Sequence, residues 1–184
     1  LVCAIDRRMI VRLIPHSDRS YDIISATGQT CGDLDHAAEP HTGLAFVQGM
    51  IDRWRARLPS RFQLHIETQF STELGFGSSA AVTVALSAAF HQWLYGAIEP
   101  DAVFNDSLAV VLSVQGAGSG ADIAASVYGG LVAYRAAPLE IRQHPVQHPI
   151  TAVYSGKKEP TALVIEEVEN RRRQDPRKFD ALFD

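Results

Sequence analysis

Apolar and polar positions along this chain fall into alternating short and long periods. Leu1 to Ile5, Met9 to Ile14 and Tyr21 to Ser25 read as strands, with the turn chemistry of Pro15-His16-Ser17-Asp18 between the second and third. From Thr42 to Leu58, Leu44, Phe46, Val47, Met50, Ile51 and Trp54 recur at helical spacing, and Pro59 ends the run. Phe62 to Glu67 sets Phe62, Leu64 and Ile66 against Gln63, His65 and Glu67, the period of a half-buried strand. Gly77 to Tyr95 is apolar nearly all round at its start, which predicts a long buried helix. Asp101 to Val114 and Asp122 to Tyr128 predict two more helices, and Leu131 to Tyr134 a strand.

The stretch from Pro138 to Pro149, bearing prolines and histidines, reads as a domain boundary. It divides the chain into 1–137 and 138–184. Beyond it come a strand over Ile150 to Tyr154, a turn at Ser155-Gly156 and a charged helix from Thr161 to Gln174. Elements in this order predict an α+β layer structure rather than regular βαβ winding. No repeat or low-complexity segment interrupts them.

Composition narrows the function. The 184 residues suffice for a real core, and 46% hydrophobic with 21% charged residues is ordinary for a globular protein. A net charge of −4 argues against general nucleic-acid binding, while leaving room for small anions held by amides and helix ends. Two cysteines, Cys3 and Cys31, make no disulfide framework, and the longest apolar run is too short and too interrupted to span a bilayer. A soluble cytoplasmic protein is the expectation. The chain opens without Met on a strand-like stretch and closes on what reads as an unfinished helix, so it is expected to be a piece of something longer.

Two glycine-rich segments carry the candidate chemistry. Leu74-Gly75-Phe76-Gly77-Ser78-Ser79-Ala80-Ala81 runs straight into the long apolar helix. Its glycines permit close ligand approach, and Ser78 and Ser79 stand where orphan amides and the helix dipole favour negative charge. The segment has neither the Gly-Lys-Ser/Thr of a P-loop nor a complete Gly-x-Gly-x-x-Gly, since Ala80 stands in place of the third glycine. The second segment, Gln115-Gly116-Ala117-Gly118-Ser119-Gly120-Ala121-Asp122, ends in a carboxylate at the start of a helix. Taken singly, the first is equally a serine-capped helix start and the second a helix N-cap aspartate. Together they describe a phosphate site beside a base.

The two segments, with Gly129-Gly130 and Tyr154-Ser155-Gly156-Lys157-Lys158-Glu159-Pro160-Thr161, resemble the GHMP kinases in order and spacing over about Leu1 to Glu169. The resemblance implies the N-terminal domain of that family, a ribosomal protein S5 domain 2-like α+β fold, followed by the start of an α+β C-terminal domain. It implies ATP and Mg²⁺ as cofactors, with nucleotide phosphates held at Gly75, Gly77, Ser78, Ser79 and Ala80. Ser79 would also contact the metal. Asp122 would be the catalytic residue, and Ser119 and Gly120 would shape the substrate floor. The Gly-Ser-Gly-x-Asp-Ile-Ala-Ala sequence is more similar to the mevalonate and phosphomevalonate branch than to galactokinases, which implies an isoprenoid-pathway metabolite as acceptor. Neither nucleic acid nor membrane is an expected partner, and a homodimer is compatible with the sequence.

Several positions depart from the family pattern. Ser71 replaces a proline, Phe76 a leucine, and Gln115 the histidine common in mevalonate kinases. Val111 falls where many of them carry a metal-binding glutamate. The family's first and third motifs lie outside the 184 residues. A sugar kinase of the same fold, or a non-catalytic nucleotide-binding remnant, is therefore the alternative. Cys31, Asp33, Asp35, His36 and His41 lack a recognised zinc spacing and read as a surface or substrate-rim loop. Arg171-Arg172-Arg173 reads as a solvated helix end.

Overall fold

A computed structural model describes residues 1–17, 20–37, 41–145, 149, 151, 153–154, 156 and 161–181. The chain divides into two compact units, Leu1–Ile150 and Thr151–Asp184.

The first unit contains two sheets. Strands β2 (Met9–Pro15), β3 (Ser20–Ser25), β4 (Gly28–Asp33) and β5 (Phe62–Thr68) form a mixed sheet in the order β2-β5-β3-β4. β5 pairs antiparallel with β2 and parallel with β3. Parallel neighbours need a crossover, and this one carries β4, a 3₁₀ turn at Thr42–Leu44 and helix α1 (Ala45–Trp54). The register aligns Leu13, Leu64 and Ile23 across three strands, so every second residue of each faces one side. The second sheet is antiparallel, in the order β1-β6-β7, from β1 (Val2–Cys3), β6 (Leu131–Ala136) and β7 (Leu139–His144).

Helices α2 (Ser78–Tyr95), α3 (Pro100–Gln115) and α4 (Ala121–Tyr128) complete the unit. Two buried clusters account for the nearly uniform apolar surface of α2. Its C-terminal half places Leu86 and Phe90 with Tyr21, Ile23, Trp54, Phe62 and Leu64 in the first. Its N-terminal half places Ala80 and Val84 with Phe104, Val111, Ile123 and Val132 in the second. The ring of Phe90 meets that of Phe62 edge to face at 5.6 Å, a geometry favoured by the aromatic quadrupole. Asp106 of α3 ties three helices together. It accepts from Arg53 Nε of α1 at 2.8 Å and lies 3.1 Å from His91 Nε2 of α2.

The second unit holds α5 (Thr161–Gln174) and α6 (Pro176–Asp180). The Asp175 carboxylate caps α6, accepting from the Lys178 amide at 3.1 Å. Arg171 pairs with Glu167 one turn back. Among the described residues, no helix is long and apolar enough to cross a membrane.

Most elements fall within a few residues of the expected ones. β4 and β7 were not expected. Gly28-Gln29-Thr30-Cys31-Gly32-Asp33 shows no apolar alternation, yet β3 pairs with it residue by residue from Ser20↔Asp33 to Ser25↔Gly28. The expected polar loop at residues 31–36 is thus partly an edge strand. β7 pairs with β6 from Leu131↔His144 to Ala136↔Leu139. The expected boundary between 137 and 138 therefore falls in the turn of a hairpin, and the division lies after Ile150. Of the expected strand at 150–154, residues 150 and 152 lie outside the described residues, and 151, 153 and 154 are in no strand or helix.

Candidate active site

β5 ends at Thr68, whose hydroxyl donates to the Phe70 carbonyl at 2.7 Å and turns the chain. Ser71 Oγ then accepts from the Glu73 amide at 3.2 Å, starting a 3₁₀ turn over Thr72–Leu74. The glycine loop follows. At Gly77 the backbone is left-handed, φ +71°, and its carbonyl accepts the Ala81 amide at 2.9 Å to begin α2. A residue with a Cβ resists that conformation. The first turn of α2 therefore projects its unpaired amides, with Ser78 and Ser79 half-buried beside them.

The second glycine-rich segment approaches from the C-terminus of α3. Gly116 closes that helix through its amide to the Leu112 carbonyl at 2.9 Å. Ser119 Oγ accepts from the Ala121 amide at 3.2 Å, and α4 opens with the Ala124 amide on the Gly120 carbonyl at 2.9 Å. Asp122 sits in the first turn of α4, exposed, and its carboxylate lies against the first loop. A Cβ added to Gly77 would stand 3.6 Å from Asp122 Cβ, Cγ and Oδ2. Gly77 and Asp122, 45 positions apart in the sequence, thus face each other across the space a single side-chain carbon would fill.

Both segments open onto a cavity of 370 Å³, whose walls include Gly75, Phe76, Gly77, Ala81, Asp122 and Ser126. The expected site residues do not all reach it. Gly75, Gly77 and Asp122 line the cavity. Ser78 and Ser79 stand next to it in the first turn of α2, and the Ser79 carbonyl accepts from Thr83 Oγ1 at 2.7 Å. The Ala80 side chain is buried in the second core cluster, so only its backbone is available to a ligand. Ser119 and Gly120 are not among the lining residues; they shape the turn that carries Asp122.

Arg7 and Arg8, on the loop between β1 and β2, also line the cavity. The sequence reading did not single them out, although Asp6-Arg7-Arg8 between two strand-like stretches is a visible charge cluster. Arg8 is held in place by its backbone, whose amide donates to Gln69 Oε1 at 3.0 Å and whose carbonyl accepts from the Gln69 amide at 2.9 Å. Arg7 pairs with Asp6 at 3.4 Å on the open surface, a contact of little energetic weight. The residues lining the cavity thus include two arginines, the glycine loop before α2 and one acidic residue, Asp122.

Among the described residues, no three His, Cys, Asp or Glu side chains gather as a metal-binding group. A Mg²⁺ ion that keeps several waters and takes most of its remaining ligands from phosphates needs only one or two protein oxygens. Asp122, in the first turn of α4, and Ser79, in the first turn of α2, carry oxygens of that type. Val111 packs in the second core cluster and offers no oxygen.

The fold is an α+β domain whose two glycine-rich segments meet at one cavity, and residues 45–130 match the family model described as the GHMP kinases N terminal domain. Over those residues the chain is similar to the N-terminal domain of the GHMP kinases. Over 184 residues it is 29% identical to a mevalonate kinase of Archaeoglobus fulgidus, with 100% of this chain and 60% of that protein covered. The structure of a Methanococcus jannaschii mevalonate kinase superposes with a TM-score of 0.69 at 16% identity, over 94% of this chain and 60% of that one. A Lactococcus lactis galactokinase complexed with galactose superposes at 0.68 and 15% identity, over 99% of this chain and 51% of that one. The chain spans about 60% of the length of two curated relatives it matches end to end, and less of two others. At these identities the solved structures establish the fold.

Proposed function

We propose that this protein is an ATP-dependent small-molecule kinase that transfers the γ-phosphoryl group to a hydroxyl or phosphate of a mevalonate-type metabolite. One observation carries the reading: the Asp122 carboxylate rests against the glycine loop at the N-terminus of α2, on one cavity wall. The amides of Gly75, Gly77, Ser78 and Ser79, aided by the dipole of α2, hold the β- and γ-phosphates. Asp122 aligns the acceptor hydroxyl, or takes its proton, for in-line attack at the γ-phosphorus. Ser79, with phosphate oxygens of the nucleotide, would hold Mg²⁺, which would offset the charge on those phosphates. Positioning and charge stabilisation supply the catalysis. Arg7 and Arg8, which also line the cavity, add positive charge.

The choice of a mevalonate-type acceptor is supported by the identity to the archaeal mevalonate kinase across the whole chain. A cytoplasmic location belongs to the same proposal and is supported by the two free, exposed cysteines, Cys3 and Cys31. The test is ADP release from Mg-ATP with mevalonate, phosphomevalonate, homoserine and galactose in turn. Release with mevalonate or phosphomevalonate is the expected result. Release with galactose alone, or with no acceptor from a folded chain, would contradict the proposal.

A further inference from the structure

The turn that delivers Asp122 to the cavity is held by a residue outside the cavity. Tyr134 stands on β6, and its phenolic O–H donates to the backbone carbonyl of Ser119. The same hydroxyl occupies the space a side chain at the next position would need. A Cβ on Gly120 would lie 2.7 Å from Tyr134 Oη and 3.1 Å from Leu108 Cδ1. Gly120 itself has φ +85°, so the turn, the missing side chain and the phenol fit one another. Phe104 of α3 backs the Tyr134 ring, with centroids 6.2 Å apart. Burial raises the pKa of the Tyr134 hydroxyl, which keeps it a hydrogen-bond donor well into the alkaline range.

The far end of α4 is tied as well. Tyr128 O–H donates to Asp101 Oδ1 at 2.5 Å, and Gln143 of β7 donates to the Tyr128 carbonyl. A helix of eight residues is about 12 Å long, so tilting either end shifts the Asp122 carboxylate relative to Gly77. Tyr134 controls the end that matters, two turn residues before Asp122.

We infer that Tyr134 is a positioning residue of the site: its bond to the Ser119 carbonyl fixes the turn at residues 116–120 and sets where Asp122 stands against the glycine loop. The effect on turnover rests on the kinase reading above; the clamp itself does not. Phenylalanine keeps the ring packing and removes only the hydroxyl, so Tyr134→Phe isolates the bond.

The experiment compares the full 184-residue chain with its Tyr134→Phe variant. Amide hydrogen exchange is followed at Ala121 and Ala124, which donate to Ser119 Oγ and the Gly120 carbonyl. The expected result is exchange about tenfold faster at those two amides, with β5 unchanged, as local opening requires. In turnover, kcat falls by about ten- to a hundredfold while KM for Mg-ATP stays within about twofold, the signature of a misplaced reacting group. Unchanged exchange at Ala121 and Ala124 would overturn the inference. So would acceleration spread evenly over the whole unit, or accelerated local exchange with kcat equal to the parent's. If the parent chain phosphorylates no acceptor, the kinase reading fails by itself and the exchange comparison still decides the clamp.

Discussion

Gly77 joins the two halves of the site in one residue. Its left-handed backbone turns the loop into α2, and a Cβ placed on it would already be in van der Waals contact with Asp122. Valine at this position puts branched carbons toward the carboxylate in a backbone region that costs L-residues roughly 1–2 kcal/mol. Gly77→Val is therefore expected to fold with slightly reduced stability and to lose Mg-ATP binding, read by calorimetric titration. Normal nucleotide affinity in a folded Gly77→Val would remove the loop from phosphate binding. Gly75, Gly77 and Asp122 were legible in the sequence because glycine before a helix and a carboxylate at its first turn each leave a local mark. Arg7 and Arg8 were not, because their place in the cavity depends on the pairing of Gln69 with the backbone of Arg8, a contact 61 residues apart. Ala80 shows the opposite failure. It lies within the legible motif, yet its side chain turns into the core.

Among the elements, α4 depends on its ties to α3 and to the second sheet. Burial, then the hydrogen bond and charge of Asp101, push the pKa of Tyr128 up to about 12 from the ordinary 10.0. The neutral phenol is the form the fold prefers, so its contribution is complete below the unfolded pKa. It declines as pH rises from about 10 through about 12, because the unfolded chain ionises first. Tyr128→Phe is expected to be less stable than the parent at neutral pH and to lose less stability across that window. Denaturant midpoints at pH 8 and pH 11.5 check it; parallel losses in both proteins would contradict the assignment. Elements whose own periodicity is strong, such as β5 and α2, were readable with small shifts at their ends. β4 was not, because an edge strand packed on one neighbour needs no apolar alternation when that neighbour supplies its register, and β7 was not, because its short Leu139-Glu140-Ile141-Arg142 alternation lies inside a stretch marked by prolines and histidines.

For the molecule, α2 is the element on which everything converges. It spans both buried clusters, anchors Leu86 and Phe90 under the mixed sheet, and follows the glycine loop at its other end. Its near-uniform apolarity was legible as burial, but the two distinct cores were not, since periodicity does not say how many neighbours a helix has. The same arrangement sets the proposed nucleotide loop at the start of a buried helix and Asp122, the proposed catalytic residue, on the short helix α4. The most direct test of that account is Asp122→Ala, with Mg-ATP affinity and phosphoryl transfer measured side by side on parent and variant. The account predicts transfer reduced by about a thousandfold or more, with affinity changed only a few fold. Turnover close to the parent's in Asp122→Ala would contradict it.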